Sequence, residues 1–272
     1  VSSKPAGAPP AAKTAKPAQP AAPRPAQPRL RVLAGPNGSG KSTIKPDLKP
    51  QWIGVFVNAD EIERDLNATA GLLSLRNLGI GGERAGVLKR IRHSLKTSGL
   101  EKRLHLPALL AGIALDDAMT LWVPGPYNSY LAAALAEAVR QELLEEGQTF
   151  TFETVMSHPS KIEFMREARA RGYRVYLYFV ATDDPEINID RVHRRVLQGG
   201  HAVDDERVID RYHKSIALMT QACEAAHRAY IFDNSGSRHK LLAEVTDFET
   251  IKLASSRINP WFLDTDLWRA FA

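Results

Sequence analysis

The sequence predicts an α/β protein built on a parallel sheet, and three observations carry that expectation. A short apolar run at residues 30–34 leads directly into a glycine-rich pattern at 35–43. Further apolar strand candidates at 53–57, 149–152, 173–180 and 229–232 alternate with helical stretches. Such alternation reads as parallel, because joining two parallel neighbours takes a crossover, usually a helix. Finally, Lys41, Asp60, Glu153, Asp183 and Asn234 fall just beyond a strand candidate. Ligands of open α/β sheets sit at those carboxyl ends.

The 272 residues suffice for one or two domains with a real core. Residues 1–28 contain no acidic side chain, eight of the seventeen prolines and four cations, Lys4, Lys13, Lys16 and Arg24. A segment of that composition cannot bury apolar area and is expected as a solvated, partly polyproline tail that adds nothing to the fold. Without its four cations the formal net charge of +5 drops to about +1, so charge supplies no argument for nucleic acid. The one cysteine, Cys223, excludes an internal disulfide and is expected as a buried small residue in a reducing compartment. The longest apolar run, near 104–115, is too short for a membrane span and contains Pro107. No signal-peptide pattern opens the chain, and the cytoplasm is the expected location.

The glycine-rich stretch is Gly35-Pro36-Asn37-Gly38-Ser39-Gly40-Lys41-Ser42-Thr43, which fits the G-x-x-x-x-G-K-[ST] spacing of a phosphate-binding loop. Its glycines let successive N–H groups turn toward phosphate oxygens. Lys41 brings a mobile point charge to the β- and γ-phosphates, and the Ser42 hydroxyl can ligand Mg²⁺. A helix beginning near Lys41 is expected to add its positive dipole end. The expected ligand is a nucleoside triphosphate.

After the second strand candidate, Asn58-Ala59-Asp60 closes the strand, and residues 61–148 read mostly helical. Asn128 can cap a helix over 129–146 with Leu131, Leu135, Val139 and Leu143 on one face. Pro124-Gly125-Pro126 separates it from the apolar helix before it. Among machines that use such a loop, a transport-type ATPase needs a signature loop and an Asp-Glu strand end. Gly81-Gly82-Glu83-Arg84 and Asp116-Asp117 only echo these. A GTPase needs a base-reading Asn-Lys-x-Asp, which the sequence lacks. A small-molecule kinase needs a base for the acceptor hydroxyl, an acceptor pocket and cations over the γ-phosphate.

Asp60, 19 residues beyond Lys41, suits that base, and it equally suits the cap of a helix opening at Glu61. Glu153 ends the third strand, either as a solvated strand end or as a carboxylate that grips sugar hydroxyls. The helix predicted over 185–197 carries Arg191, Arg194 and Arg195, and Gly199-Gly200-His201 follows it. That order suits a mobile lid whose arginines clamp phosphate. The loop Asp233-Asn234-Ser235-Gly236 is the candidate for contacts to the base, through Asn234.

GPNGSGKST, VNADEI, FTFETVMSHPSK, IDRVHRRVLQGGHAV and YIFDNSG, in that order, resemble zeta-toxin-like P-loop kinases over residues 29–65 and 148–236. The resemblance implies a five-stranded parallel P-loop kinase core flanked by helices, with ATP and Mg²⁺ as cofactors. It also implies transfer to a hydroxyl of a sugar nucleotide such as UDP-N-acetylglucosamine, and an antitoxin protein as partner. By position, Lys41 matches the phosphate lysine, Asp60 the acceptor-activating aspartate, Glu153 the substrate-holding glutamate and Arg191 the first lid arginine. Thr154 falls beside Glu153 on the acceptor side.

The sequence also departs from that family. His201 stands near the place of a second lid arginine, with Arg194 and Arg195 close by. Thr-Val-Met-Ser follows Glu153 where the sugar-nucleotide kinases have Gly-Thr. The expected domain spans 29–254, with 255–272 as a C-terminal extension. Residues 66–127 are expected as a helical insertion that caps the acceptor site, extends the core or binds a partner. A nucleotide-binding toxin–antitoxin component without kinase activity, and a polynucleotide 5′-hydroxyl kinase, are the alternative functions. The near-neutral core speaks against the second.

Overall fold

The computed structural model describes residues 27–100, 102–200, 202–255 and 258–272. The expected tail therefore lies outside the described residues, apart from Gln27 and Pro28. Those two are tied to the end of the sheet: Gln27 Nε2 donates to the Gly172 carbonyl, and Arg174 N donates to the Pro28 carbonyl. His201 also lies outside the described residues.

The chain opens with β1 (Arg29–Ala34), two 3₁₀ turns (Lys41–Thr43 and Lys45–Asp47), α1 (Pro50–Ile53), β2 (Val55–Val57) and α2 (Ala59–Ala68). The insertion follows, with β3 (Leu72–Ser74), α3 (Arg84–Lys96), α4 (Leu106–Gly112), β4 (Ala114–Leu115) and β5 (Thr120–Trp122). Next come α5 (Ser129–Glu145), β6 (Phe150–Thr154), α6 (Ser160–Ala170), β7 (Arg174–Ala181), α7 (Pro185–Leu197) and α8 (Asp205–Glu224). The chain ends with β8 (Arg228–Asp233), β9 (Lys240–Thr246), β10 (Thr250–Leu253), α9 (Pro260–Leu263) and α10 (Asp266–Arg269).

The main sheet has the order β10-β9-β8-β7-β1-β6-β2. Its strands β8, β7, β1, β6 and β2 are mutually parallel, which is the expected five-stranded core. Two antiparallel strands, β9 and β10, extend it beyond β8. β1 lies between β6 and β7, so the chain leaves it toward one edge and later returns on its other side. That switch opens a crevice at the carboxyl end of β1.

Two expectations are corrected. Residues 61–148 are not all helix, because β3, β5 and β4 form a second, antiparallel sheet in that order. Strands of two or three residues are too short to show an alternating pattern, and Leu73, Leu115 and Leu121 look like helix-face residues until their pairing is seen. The helix expected from Lys41 is also absent. Two 3₁₀ turns and the four-residue α1 replace it, because Pro46 and Pro50 lack the N–H that a continuing helix needs.

One continuous core joins the helix-covered face of the main sheet to the insertion and to α9 and α10, where Phe262 and Leu267 are fully buried. The C-terminal segment thus belongs to the same packed body. The opposite face carries a smaller cluster around Leu33, Ile44, Leu48, Tyr178 and Val180. Cys223 is buried as expected, and burial pushes its thiol pKa up. Among the described residues, no helix is long and apolar enough to cross a membrane.

The helix α5 matches the sequence reading closely. Asn128 accepts hydrogen bonds from Tyr130 N (3.1 Å) and Leu131 N (3.0 Å), and Leu131, Leu135, Val139 and Leu143 are all buried. Replacing Asn128 with Ala leaves two N–H groups uncapped and should destabilise the protein by about 0.5–2 kcal/mol. Urea unfolding measures this. An unchanged midpoint would mean that packing alone starts the helix.

Candidate functional site

The site assembles at the carboxyl ends of β1, β6 and β2. The parallel register places Ala34 beside Thr154 and Leu33 beside Glu153, so the loop leaving β1 rises next to the end of β6. Within that loop Gly38 and Gly40 have φ values of 73° and 90°, which disfavour any side chain. A Cβ on Gly40 would also overlap Asn234 Nδ2, and one on Gly38 would overlap the Asn188 carbonyl.

Side chains from three separate elements hold the loop. Asn188 Nδ2 of α7 donates to the Asn37 carbonyl (2.5 Å), and Asn234 Nδ2, just beyond β8, donates to the Ser39 carbonyl (2.8 Å). Arg211 Nη1 of α8 donates to Asn37 Oδ1 (3.3 Å). Thr43 Oγ1 donates to the Gly40 carbonyl at 2.7 Å. Ser39 is fully buried, and its Oγ has no hydrogen-bond partner.

Lys41 is buried, with 7% of its surface exposed. Its ammonium donates to the Gly35 and Pro36 carbonyls at 2.9 Å each and lies 3.9 Å from Glu153 Oε1. Burial lowers its pKa below the ordinary 10.5. Glu153 and Asp60 oppose that shift, while Arg195 and Arg211 reinforce it. Ser42, next in sequence, is exposed.

The Asp60 question has a clear answer in the geometry. The cap of α2 is Asn58, whose Oδ1 accepts from Asp60 N at 2.8 Å. The Asp60 carboxylate is exposed in the first turn, free of capping duty, and close enough to Lys41 to raise its pKa. Asn58 also turns its Nδ2 to Glu153 Oε2 at 3.4 Å. One neutral side chain thereby links the start of α2 to the end of β6. Thr154 Oγ1 accepts from Met156 N at 3.2 Å and shapes the turn after Glu153.

Of the predicted arginines, Arg191 donates through Nη2 to the Gly236 carbonyl (3.2 Å), while its Nη1 is buried without a partner. Arg195 is exposed on the same helix, and its charge reaches Lys41. The helices α7 and α8 close on a small apolar cluster of their own, formed by Ile189, Val192 and Val208. Asn234, expected to touch the base, is buried as a strut under Ser39.

Three contributors were not singled out as site residues in the sequence: Asn58, Asn188 and Arg211. Asn188 does leave a signal, as a polar residue on the apolar stripe of α7, four positions before Val192 and fully buried. Arg211 leaves none, because α8 is charged along much of its length.

The fold, a parallel-dominated sheet with the loop after β1, is of the P-loop kinase-like class. Residues 127–240 match the model of the Zeta toxin family, which bears out the zeta-toxin-like reading; three of the five motifs lie inside that stretch. A protein of Haemophilus influenzae described only as uncharacterized is 35% identical over 63 residues. The match is 23% of this chain and 45% of that protein, so it spans less than half the length of the curated relative. Among solved structures, the chain is similar to one from the PezAT chromosomal toxin–antitoxin system of Streptococcus pneumoniae. The TM-score is 0.48 at 14% identity, covering 85% of this chain and 76% of that one. It is also similar to the AvrRxo1-ORF1:AvrRxo1-ORF2 complex with sulphate ions, with a TM-score of 0.49 at 14% identity, covering 85% and 62%.

The buried charge of Lys41 gives a pH-dependent outcome. Between its lowered native pKa and the unfolded value near 10.5, the unfolded chain holds a proton that the native chain has lost. Stability attributable to Lys41 therefore rises with pH through that window. Relative to Lys41→Met, which cannot titrate, the parent should gain stability as pH rises toward 10.5. Unfolding curves of both proteins at stepped pH test this. A stability difference, parent minus variant, that stays flat or falls as pH rises would contradict the burial of the ammonium.

Proposed function

We propose that the chain is an ATP-dependent phosphotransferase that moves the γ-phosphoryl group to a hydroxyl of a small molecule. The observation that carries the reading is the joining of three strand ends. Lys41 after β1 stands 3.9 Å from Glu153 at the end of β6, and Asn58 links Glu153 to the turn that presents Asp60. An exposed carboxylate close to a phosphate-loop lysine, and not engaged as a helix cap, is what a base for an acceptor hydroxyl requires.

On this reading Lys41 exchanges its loop carbonyls for phosphate oxygens, and Arg191, Arg195 and Arg211 approach the triphosphate from α7 and α8. The exposed Ser42 hydroxyl is the group that would hold Mg²⁺ together with the phosphates. When bound, that ion neutralises charge on the β- and γ-phosphates. Asp60 takes the acceptor proton as the acceptor oxygen bonds to the γ-phosphorus. The bond to the β,γ-bridging oxygen breaks and ADP leaves. Glu153 orients the acceptor hydroxyl from the opposite side. The family resemblance supplies a sugar nucleotide such as UDP-N-acetylglucosamine as acceptor class and an antitoxin protein as partner, and the single cysteine suits a reducing compartment such as the cytoplasm.

Two substitutions test the mechanism. Lys41→Ala should abolish transfer and weaken ATP binding, with the fold retained, because the ammonium bonds the loop rather than the core. Asp60→Asn should keep ATP affinity within a few-fold and cut transfer by roughly two to four orders of magnitude. The cap of α2 resides in Asn58, so the amide leaves that helix end untouched. ATP turnover against a panel of nucleotide sugars and nucleosides, with mass spectrometry of the products, supplies the assay. Full activity in Asp60→Asn would remove it as the base.

A further inference from the structure

The turn between β8 and β9 reaches the end of the phosphate loop through His239, a residue outside every motif read from the sequence. His239 Nδ1 lies 3.3 Å from Thr43 Oγ1, and its Nε2 lies 2.7 Å from Asp47 Oδ2. We infer that His239 is a nucleotide-binding residue that donates through Nδ1 to the α-phosphate of ATP, with Asp47 positioning its ring. The inference rests on the phosphotransferase reading and extends its nucleotide site.

The acceptors around the ring decide the hydrogen-bond roles. Thr43 Oγ1 lies 2.7 Å from the Gly40 carbonyl, which can only accept, so the hydroxyl proton is committed there. The hydroxyl then faces His239 with lone pairs, and Nδ1 carries the proton of that contact. At the far side of the ring the Asp47 carboxylate accepts from Nε2. Both nitrogens donate, which is the pattern of an imidazolium. Phosphate oxygens also only accept, so one arriving at Thr43 meets an N–H suited to it.

Strand order indicates which phosphate this is. Lys41 turns toward Glu153 at the end of β6, and Asp60 follows β2, so the γ-phosphate and the acceptor belong on that side of β1. The rest of the nucleotide then extends to the other side, over the ends of β7 and β8, where the turn 234–239 stands. Lys41 serves the β- and γ-phosphates, which leaves the α-phosphate to the end of the loop at Thr43.

The turn is built to hold that ring in place. Asn234 supports the Ser39 carbonyl, and Arg191 donates to the Gly236 carbonyl, so the segment is tied both to the loop and to α7. His239 meets the Phe232 ring edge-on, at 5.7 Å between centroids and 82° between planes. At the base of the turn the ladder slips, with Ile231 opposite Ala243 but Phe232 opposite Leu241. Such a bulge bends the hairpin and re-aims its side chains. The His239 side chain keeps 21% of its surface exposed, so a ligand can reach it.

The test is a calorimetric binding series on the full chain with AMP, ADP and ATP as probes, melting temperatures being read alongside. His239→Ala should weaken all three by the same factor, about tenfold, the loss of one hydrogen bond to a charged group. His239→Gln should fall with it, since its amide can still meet Asp47 but offers no donor at the place of Nδ1. His239→Asn, whose amide nitrogen can take that place, should recover most of the affinity. Lys41→Ala should weaken ADP and ATP and spare AMP. Asp47→Ala should weaken AMP by a smaller factor than His239→Ala.

A folded His239→Ala or His239→Gln that binds AMP as tightly as the parent overturns the inference. So does a loss that grows from AMP to ATP, the pattern of a residue that only braces the loop. A parent that binds ATP but not AMP overturns it too, and parental affinity in Asp47→Ala removes the positioning role. Unchanged nucleotide binding in His239→Ala, with phosphoryl transfer by the parent, would sink the inference and keep the phosphotransferase. The expected binding pattern without transfer to any nucleotide sugar or nucleoside would keep His239 in the nucleotide site and sink the phosphotransferase.

Discussion

The arrangement depends on a buried ammonium. Taking a lysine charge out of water is costly unless carbonyls and a counter-charge replace the lost hydration. Lys41 obtains both, from two carbonyls of its own loop and from Glu153 on the neighbouring strand. That solution works only if the loop curls back over the lysine, which demands glycine at positive φ. It also requires β6 to lie directly beside β1, so that Glu153 arrives at the right height. The adjacency of β6 to β1 and the glycine pattern are therefore two conditions on which this buried charge depends. Exchanging those carbonyls for phosphate oxygens is the step that the same requirement prepares.

Neutral side chains do most of the bracing. Asn58, Asn188 and Asn234 each join two elements of the site, and each can donate and accept without adding charge. A lysine or arginine in their places would push the Lys41 pKa down further. A carboxylate at Asn188 or Asn234 would meet the carbonyls those residues now support. Arg211 is the exception, and burial lowers its pKa as well. Its cation is held near the loop by the Asn37 side chain.

The loss of the long helix after the phosphate loop has a structural counterpart on the second sheet face. Two 3₁₀ turns and α1 cover Leu33, Val180 and Tyr178, with Tyr178 stacked on Tyr230 at 5.1 Å. Arg31 lies over the Tyr176 ring at 5.1 Å and donates to the Trp52 carbonyl. Aromatic rings and an arginine stem thus cover apolar strand surface that a helix would otherwise bury. On the proposed reading, phosphate binding consequently draws on loop N–H groups and side-chain cations, without the dipole of a long helix.

What the sequence by itself determined was local: the phosphate loop, the apolar runs of the parallel strands, the helix α7, and the capped helix α5. Each is written in consecutive residues, by a spacing, a run or a periodicity, and each was legible for that reason. Lys41, Asp60, Glu153 and Arg191 were legible as candidates because they follow strands or lie on a patterned helix. Tertiary structure alone decided which of them meet. Only pairing shows that the two- and three-residue strands of the insertion form a sheet, or that β9 and β10 extend the main one. Likewise, nothing within VNADEI tells whether Asn58 or Asp60 caps the helix, since both residue types cap well. In the folded chain Asn58 is the cap, its amide also reaches Glu153, nearly a hundred residues away, and Asp60 is exposed. Contacts between distant residues depend on strand order, and strand order is set by how the whole chain buries its apolar surface.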